Sequence, residues 1–317
     1  MNKINYQDIT IVCASDDNYA MPLAVTICSV LKNLDSRRSL NLFILDAGIR
    51  YENKIKLTNS IDSSRCHLEF LDTKGRFQEM PLVDHLTEAT YHRLLIPELL
   101  STAIHKVIYL DCDVLVLTDI SKLWDIEIGN HHLLAVQDYS LPYISLGVRN
   151  HEEMGIASHC KYFNAGVLVI NLDAWRKDST ALTVNEFIVK PRDYKIFNDQ
   201  EALNAVLWNQ WSEIDPKWNQ QVVLTSIEGT EKIASECIDS LKERLGEERY
   251  LDVISNPYIK HFCSPAKPWN VLAHPDKKLF YQYLDMTKWK GWRYTRINIW
   301  SQKVMKKLQK FLSLVNK

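Results

Sequence analysis

Short apolar runs alternate with amphipathic stretches over the first hundred residues, a pattern that predicts a parallel sheet with helical crossovers. Ile9 to Ala14, Leu40 to Leu45 and His67 to Leu71 read as strands, followed by helix-like segments at Met21 to Leu31, Tyr51 to Ser60 and Thr87 to Leu100. Lys106 to Leu110 is a fourth strand, so the first half reads as a nucleotide-binding α/β unit. Leu133 to Gln137 and Val167 to Asn171 are further strands, and Asp199 to Trp208 has helical spacing. The stretch Thr225 to Asp252 is polar and helix-prone, with no chemistry of its own to read. A last apolar run, Tyr258 to Cys263, enters the loop Ser264-Pro265-Ala266-Lys267-Pro268-Trp269.

Composition narrows the class. With 317 residues, 46% apolar and 24% charged, the chain is globular and long enough for one large α/β domain or two small ones. Only 9 glycines and 10 prolines exclude a flexible or collagenous chain, and no stretch approaches the roughly 18 apolar residues of a membrane span. Seven widely spaced cysteines without a C-x-x-C pair fit reduced thiols. The amino-terminal residues lack a secretory apolar run, so a reducing cytoplasm is the expected compartment.

The net charge of −1 conceals two parts. From Met286 to Lys317 the chain carries nine basic residues and no acid, leaving a body of −10. In the tail, Trp300, Val304, Leu308, Phe311, Leu312 and Val315 make one helical stripe, with Lys303, Lys306, Lys307 and Lys310 opposite. That is the form of an interfacial anchor on an anionic membrane; the bland alternative is a helix packed on its own domain. Nucleic acid is not an expected partner, because the body is acidic and the tail has no recognised binding motif. The expected organisation is a catalytic domain over 1–275 and a basic amphipathic tail over 276–317.

The sharpest local feature is Val107-Ile108-Tyr109-Leu110-Asp111-Cys112-Asp113-Val114-Leu115-Val116. Two carboxylates at the end of a buried strand cost several kcal/mol each to desolvate, so a cation belongs between them. In extended chain, residues two apart face one side, and both carboxylates can reach one divalent ion. A solvated strand-end turn is the alternative for such a pair standing alone. Around it, in order, come Ala14-Ser15-Asp16-Asp17-Asn18-Tyr19, Thr90-Tyr91-His92-Arg93-Leu94, Tyr162-Phe163-Asn164-Ala165-Gly166-Val167, Asn198-Asp199-Gln200-Glu201 and Ile259-Lys260-His261-Phe262-Cys263 with the loop to Trp269.

This ordered set resembles the retaining glycosyltransferases of family 8, and within them the bacterial lipooligosaccharide and lipopolysaccharide galactosyltransferases, over about residues 8 to 275. The resemblance implies an α/β GT-A fold, a Rossmann-like nucleotide-binding half merged with an acceptor-binding half. It implies a UDP-hexose donor, galactose or glucose, with Mn²⁺ as cofactor and Mg²⁺ as a substitute. Asp111, Asp113 and His261 would be the metal ligands. Asp16 and Asn18 would bind uracil and ribose, with Cys112, Ser264 and Lys267 also on the nucleotide side. Arg93, Asn164 and Asp199 would hold the donor sugar, with Gln200 beside the anomeric carbon, and His85 and Cys263 would meet the acceptor. Read as residues alone, Asp16, Asn18 and Asn198 to Glu201 are also helix caps, His261 a core histidine and Lys267 a surface lysine.

Glutamine is a poor nucleophile, so Gln200 favours a front-side displacement through an oxocarbenium-like ion pair over a covalent double displacement. The chain departs from these relatives at Glu201, at Ser264 and at Phe197-Asn198, which leaves the role of the third acid open and allows a different acceptor. The expectation is a hexosyltransferase acting on a glycan or glycolipid such as lipopolysaccharide core, cytoplasmic and peripheral to the inner face of the membrane. Two alternatives stay open: a self-glucosylating primer of polysaccharide synthesis, and a catalytically weak glycan-binding scaffold.

Overall fold

The computed structural model describes residues 4–77, 88–190, 199–222 and 231–297. In chain order the strands are β1 (Ile9–Ser15), β2 (Leu40–Asp46), β3 (Cys66–Asp72), β4 (Lys106–Leu110), β5 (Val114–Val116), β6 (Leu133–Gln137), β7 (Phe163–Asn171), β8 (Trp211–Glu213), β9 (Gln220–Gln221) and β10 (Ile259–His261). Seven of them form one sheet in the order β3-β2-β1-β4-β7-β6-β8. β1 to β4 are mutually parallel, as strands joined by crossovers must be, and β7 lies antiparallel on both β4 and β6. β1 and β2 are buried at every position, the signature of a parallel strand covered on both faces.

Alternate residues of β1 feed opposite cores: Ile9, Ile11 and Cys13 one face, Val12 and Ala14 the other. The chain leaves β1 on one side toward β2 and returns on the other as β4, so the carboxyl ends of β1 and β4 flank a switch point. A smaller sheet, β5-β10-β9, stands beyond β4. The helix Ala20–Asn33 braces the junction between the two sheets: Thr26 Oγ1 lies 2.9 Å from the carbonyl oxygens of Cys112 and Val114. Asn33 Nδ2 donates to Val116 O at 2.9 Å.

Three expectations change in detail. The helix expected over Thr87 to Leu100 is a 3-10 segment, Glu88–Leu95, followed by a single α turn at Ile96–Leu99; Thr87 lies outside the described residues. Pro97 sits in that first α turn, where it cannot supply the amide that would continue the segment before it. β7 starts at Phe163, so Asn164, Ala165 and Gly166 lie within the strand. The polar stretch forms two helices, Glu231–Leu245 and Glu247–Ser255, hinged at Gly246 with φ +79°, and residues 225–230 lie outside the described residues.

The change of character expected at 275/276 is not a change in packing. Phe280 and Leu284 of the helix Lys277–Leu284 are buried with Val25, Leu115 and Phe262, and Trp269, Trp289 and Trp292 pack on that cluster. Tyr294 is buried as well, its N–H donating to Tyr281 Oη at 2.9 Å. The basic stripe from Trp300 onward lies outside the described residues, as does His85. No helix among the described residues is long and apolar enough to cross a membrane.

Candidate active site

The carboxyl ends of β1, β4 and β6 open into a cavity of about 360 Å³. Asp111 follows β4, Asp113 precedes β5, and β10 brings His261 opposite Val114. One ligand atom from each of Asp111, Asp113 and His261 lies within 4.8 Å of the other two. His261 Nε2 is 3.7 Å from Asp111 Oδ2 and 3.4 Å from Asp113 Oδ1. Its Nδ1 is bonded to Asn219 Oδ1 at 3.0 Å, so Nε2 is the nitrogen that faces the aspartates. Backbone bonds fix the frame: Asp111 N–H donates to Gly166 O and Phe262 N–H to Asp113 O, each at 2.9 Å.

Among the described residues, five carboxylates line the cavity, Asp16, Asp111, Asp113, Asp138 and Asp199, against two cationic side chains, Arg93 and Lys267. Such an excess repels a phosphate until a cation compensates it. Two carboxylates and an imidazole nitrogen converging on one point suit a divalent transition ion, and the residues present fit one.

Lys267 is buried, and its Nζ donates to Asp113 Oδ2 at 2.5 Å and to Phe262 O. Burial pushes the Asp113 carboxyl up, but the Lys267 ammonium and His261 outweigh it and hold Asp113 well below the usual carboxylate range. Burial pushes Lys267 down, and Asp113 more than restores it.

The other wall holds Arg93. Its Nε pairs with Asp199 Oδ2 at 2.7 Å, its Nη2 reaches Asp111 Oδ1 at 3.2 Å, and its Nη1 donates to Ala165 O. The guanidinium stacks over Tyr109, 4.3 Å from the ring centroid. Burial opposes its charge, yet Asp199, Tyr109 and Asp111 keep it firmly protonated. For Asp199, 1% exposed, burial outweighs Arg93 and lifts the carboxyl to about 6.

Gln200 is held at both ends of its amide. Oε1 accepts from Ala165 N–H at 2.9 Å and Nε2 donates to Asp138 Oδ2 at 3.1 Å. Asn164 Nδ2 donates to the same Asp138 oxygen at 3.0 Å. Asp138 was not among the residues expected from sequence, and it joins the two amides of the sugar side. Its other oxygen accepts from the N–H groups of Ser140 and Leu141, which fixes the turn after β6. The signal was available, since an acid, Asp138, directly follows Leu133 to Gln137 just as Asp111 follows Lys106 to Leu110.

On the nucleotide side, Asp16 lines the cavity and also caps the next turn, Oδ1 accepting from Tyr19 N–H at 3.1 Å. Cys112 and Cys263 line it too. The Cys112 thiol donates to Ala14 O at 3.0 Å, and burial pushes it far up, so it is no thiolate. Two expected residues, Asn18 and Ser264, stand apart from the cavity wall, as does Glu201, whose role the sequence left open. Asn18 is exposed and bonds Asp16 Oδ2 at 3.3 Å, Ser264 Oγ donates to Ala266 O at 3.0 Å, and Glu201 is fully buried in the helix Asp199–Leu207.

Residues 10–273 match the sequence profile of glycosyl transferase family 8. General stress protein A of Bacillus subtilis is 36% identical over 287 residues, 88% of this chain and 94% of that protein. The lipopolysaccharide 1,3-galactosyltransferase of Salmonella typhimurium is 24% identical over 279 residues, 86% of this chain and 77% of that enzyme. Among solved structures, the galactosyltransferase LgtC in complex with donor and acceptor sugar analogs superposes with a TM-score of 0.70 and 27% identity. That match covers 88% of this chain and 96% of LgtC.

Proposed function

The chain belongs to glycosyl transferase family 8, and on that premise we propose that it is a metal-dependent retaining transferase that moves galactose or glucose from a UDP-sugar to a glycan or glycolipid such as lipopolysaccharide core. The observation that carries the reading is one cavity in which Asp111, Asp113 and His261 converge beside the Arg93–Asp199 pair and Gln200. Asp111, Asp113 and His261 would hold Mn²⁺, which when bound supplies the positive charge that a diphosphate and a departing UDP require. Asp16 and Asn18 would take the uracil and ribose, and Cys112 and Ser264 would contact the nucleotide through their backbone. Lys267, now on Asp113, would share its charge with the diphosphate as negative charge builds on the leaving group.

Arg93, Asn164 and Asp199 would orient the hexose, and Cys263 and His85 would meet the acceptor. Gln200 would stand beside the anomeric carbon, but both ends of its amide are already held and it carries no charge, so it makes no nucleophile. The hexose C–O bond to UDP therefore breaks as the acceptor oxygen bonds the same face of the anomeric carbon. The acceptor proton passes to the leaving phosphate oxygen. Residues 298–317 would bring the body to an anionic membrane surface that presents the acceptor.

The test is UDP release from UDP-galactose and UDP-glucose by the wild-type chain and by Asp111→Asn. The variant loses turnover with both donors; unimpaired turnover removes the metal assignment. A hexose trapped covalently on Asp138, Asp199 or Glu201 of the unmodified chain would overturn the front-side step.

A further inference from the structure

We propose that Asn219 is a positioning residue that dictates which nitrogen of His261 carries the proton and ties that ligand to the amides facing the sugar. This rests on the metal-dependent reading above. Asn219 is fully buried and precedes β9, which pairs in register with β10, so the small sheet sets it against His261.

The polarity of the chain of bonds follows from one backbone group. The Gly166 N–H can only donate, and it donates to Asn164 Oδ1 at 3.0 Å, so that atom is an oxygen. Asn164 cannot be turned over, because its other end meets the Asp138 carboxylate, which only accepts. The Asn219 atom 2.9 Å from Asn164 Oδ1 must therefore be the donor Nδ2. Asn219 then offers only its oxygen to His261, and Nδ1 must carry a proton. In the neutral imidazole, the form that can ligate a metal, the Nε2 lone pair is then left to face Asp111 and Asp113. A ligand histidine fixed through its second nitrogen is bound in one tautomer and one ring orientation, and losing such a partner typically costs 10- to 100-fold in metal affinity. The same amide that fixes the tautomer holds Asn164, and through it Asp138 and the Gln200 amide.

Two substitutions separate these tasks. Asn219→Ala removes both bonds. Asn219→Asp keeps an acceptor for His261 but sets an oxygen against Asn164 Oδ1, which needs a donor. Mn²⁺ binding to the full chain without nucleotide is followed by electron paramagnetic resonance of the free ion, alongside kcat and KM for the donor and the melting temperature. Asn219→Ala weakens Mn²⁺ binding roughly 10- to 100-fold. Asn219→Asp keeps Mn²⁺ affinity at or above the wild-type level, and at saturating metal its kcat falls about tenfold or more as the sugar-side amides lose their alignment. Equal Mn²⁺ affinity in wild type and Asn219→Ala overturns the inference, as does loss of affinity in Asn219→Asp; the latter decides alone where the Ala variant does not fold. Asp113→Asn is the control: if it binds Mn²⁺ as wild type does, or wild type binds none, the metal reading itself falls.

Discussion

Gly166 is a position in the site where one added methyl group is costly. It lies in β7, directly over the carboxylate and imidazole that face each other across the cavity. A Cβ there would stand 2.2 Å from His261 Cε1, 2.8 Å from Asp111 Oδ2 and 2.9 Å from His261 Nδ1. Carbon atoms pack at about 3.5 to 4 Å, so the imidazole must retreat by more than about 1 Å. It cannot retreat freely, because Nδ1 is tied to Asn219 and β10 is paired on both sides. Overpacking of this kind costs about 1–3 kcal/mol of stability, which lowers the melting temperature of Gly166→Ala by several degrees.

The functional cost is of the same order, but it falls on the reaction. A 1 Å displacement at a reacting centre can lower the rate by about 10²-fold, or about 2.7 kcal/mol of transition-state stabilisation. Gly166→Ala therefore stays folded, loses Mn²⁺ binding in a metal titration, and releases UDP from a UDP-hexose at about a hundredth of the wild-type rate. Wild-type metal affinity and turnover in Gly166→Ala would refute the close approach of β7 to His261.

Two further outcomes follow from other parts of the molecule. His92 is fully buried against Thr73, and burial, aided by nearby Arg76, lowers its pKa from 6.5 to about 4. Between those two values the unfolded chain binds a proton that the folded chain refuses, so stability falls as pH drops from about 6.5 to about 4, by at most roughly 3 kcal/mol from this group. Urea midpoints at several pH values show a shallower acid slope in His92→Gln; an unchanged slope removes this role. Trp289, Trp292 and Tyr294 pack on the body, so the cut that tests the tail falls after residue 297. Removing 298–317 releases the protein from anionic vesicles and leaves UDP release intact, whereas equal vesicle binding by the shortened chain argues against the membrane contact.

The parallel half was legible because its strands are continuous apolar runs ending in turn residues, and β1 to β4 appear within one residue of the expected starts. Asp111 and Asp113 were legible because acids at the end of such a run are costly. Asn219 had no local signal: it reaches His261 only through the pairing of β9 with β10, and no spacing rule reports a contact across that distance in sequence. Gly166 stood in a quoted motif, but its need for a missing side chain exists only once β7 passes against His261. The tail was read by its charge and by the apolar stripe from Trp300, and neither reports that Trp289 and Trp292, ahead of that stripe, pack on the cluster that holds Phe262 and Phe280.

Metal-dependent hexosyl transfer from a UDP-sugar is open to one plain measurement: UDP release from a panel of nucleotide sugars with Mn²⁺ or with chelator. The expected result is release from UDP-galactose or UDP-glucose that needs Mn²⁺ and a glycan acceptor. Release that persists in chelator, or no release from any donor, would contradict it.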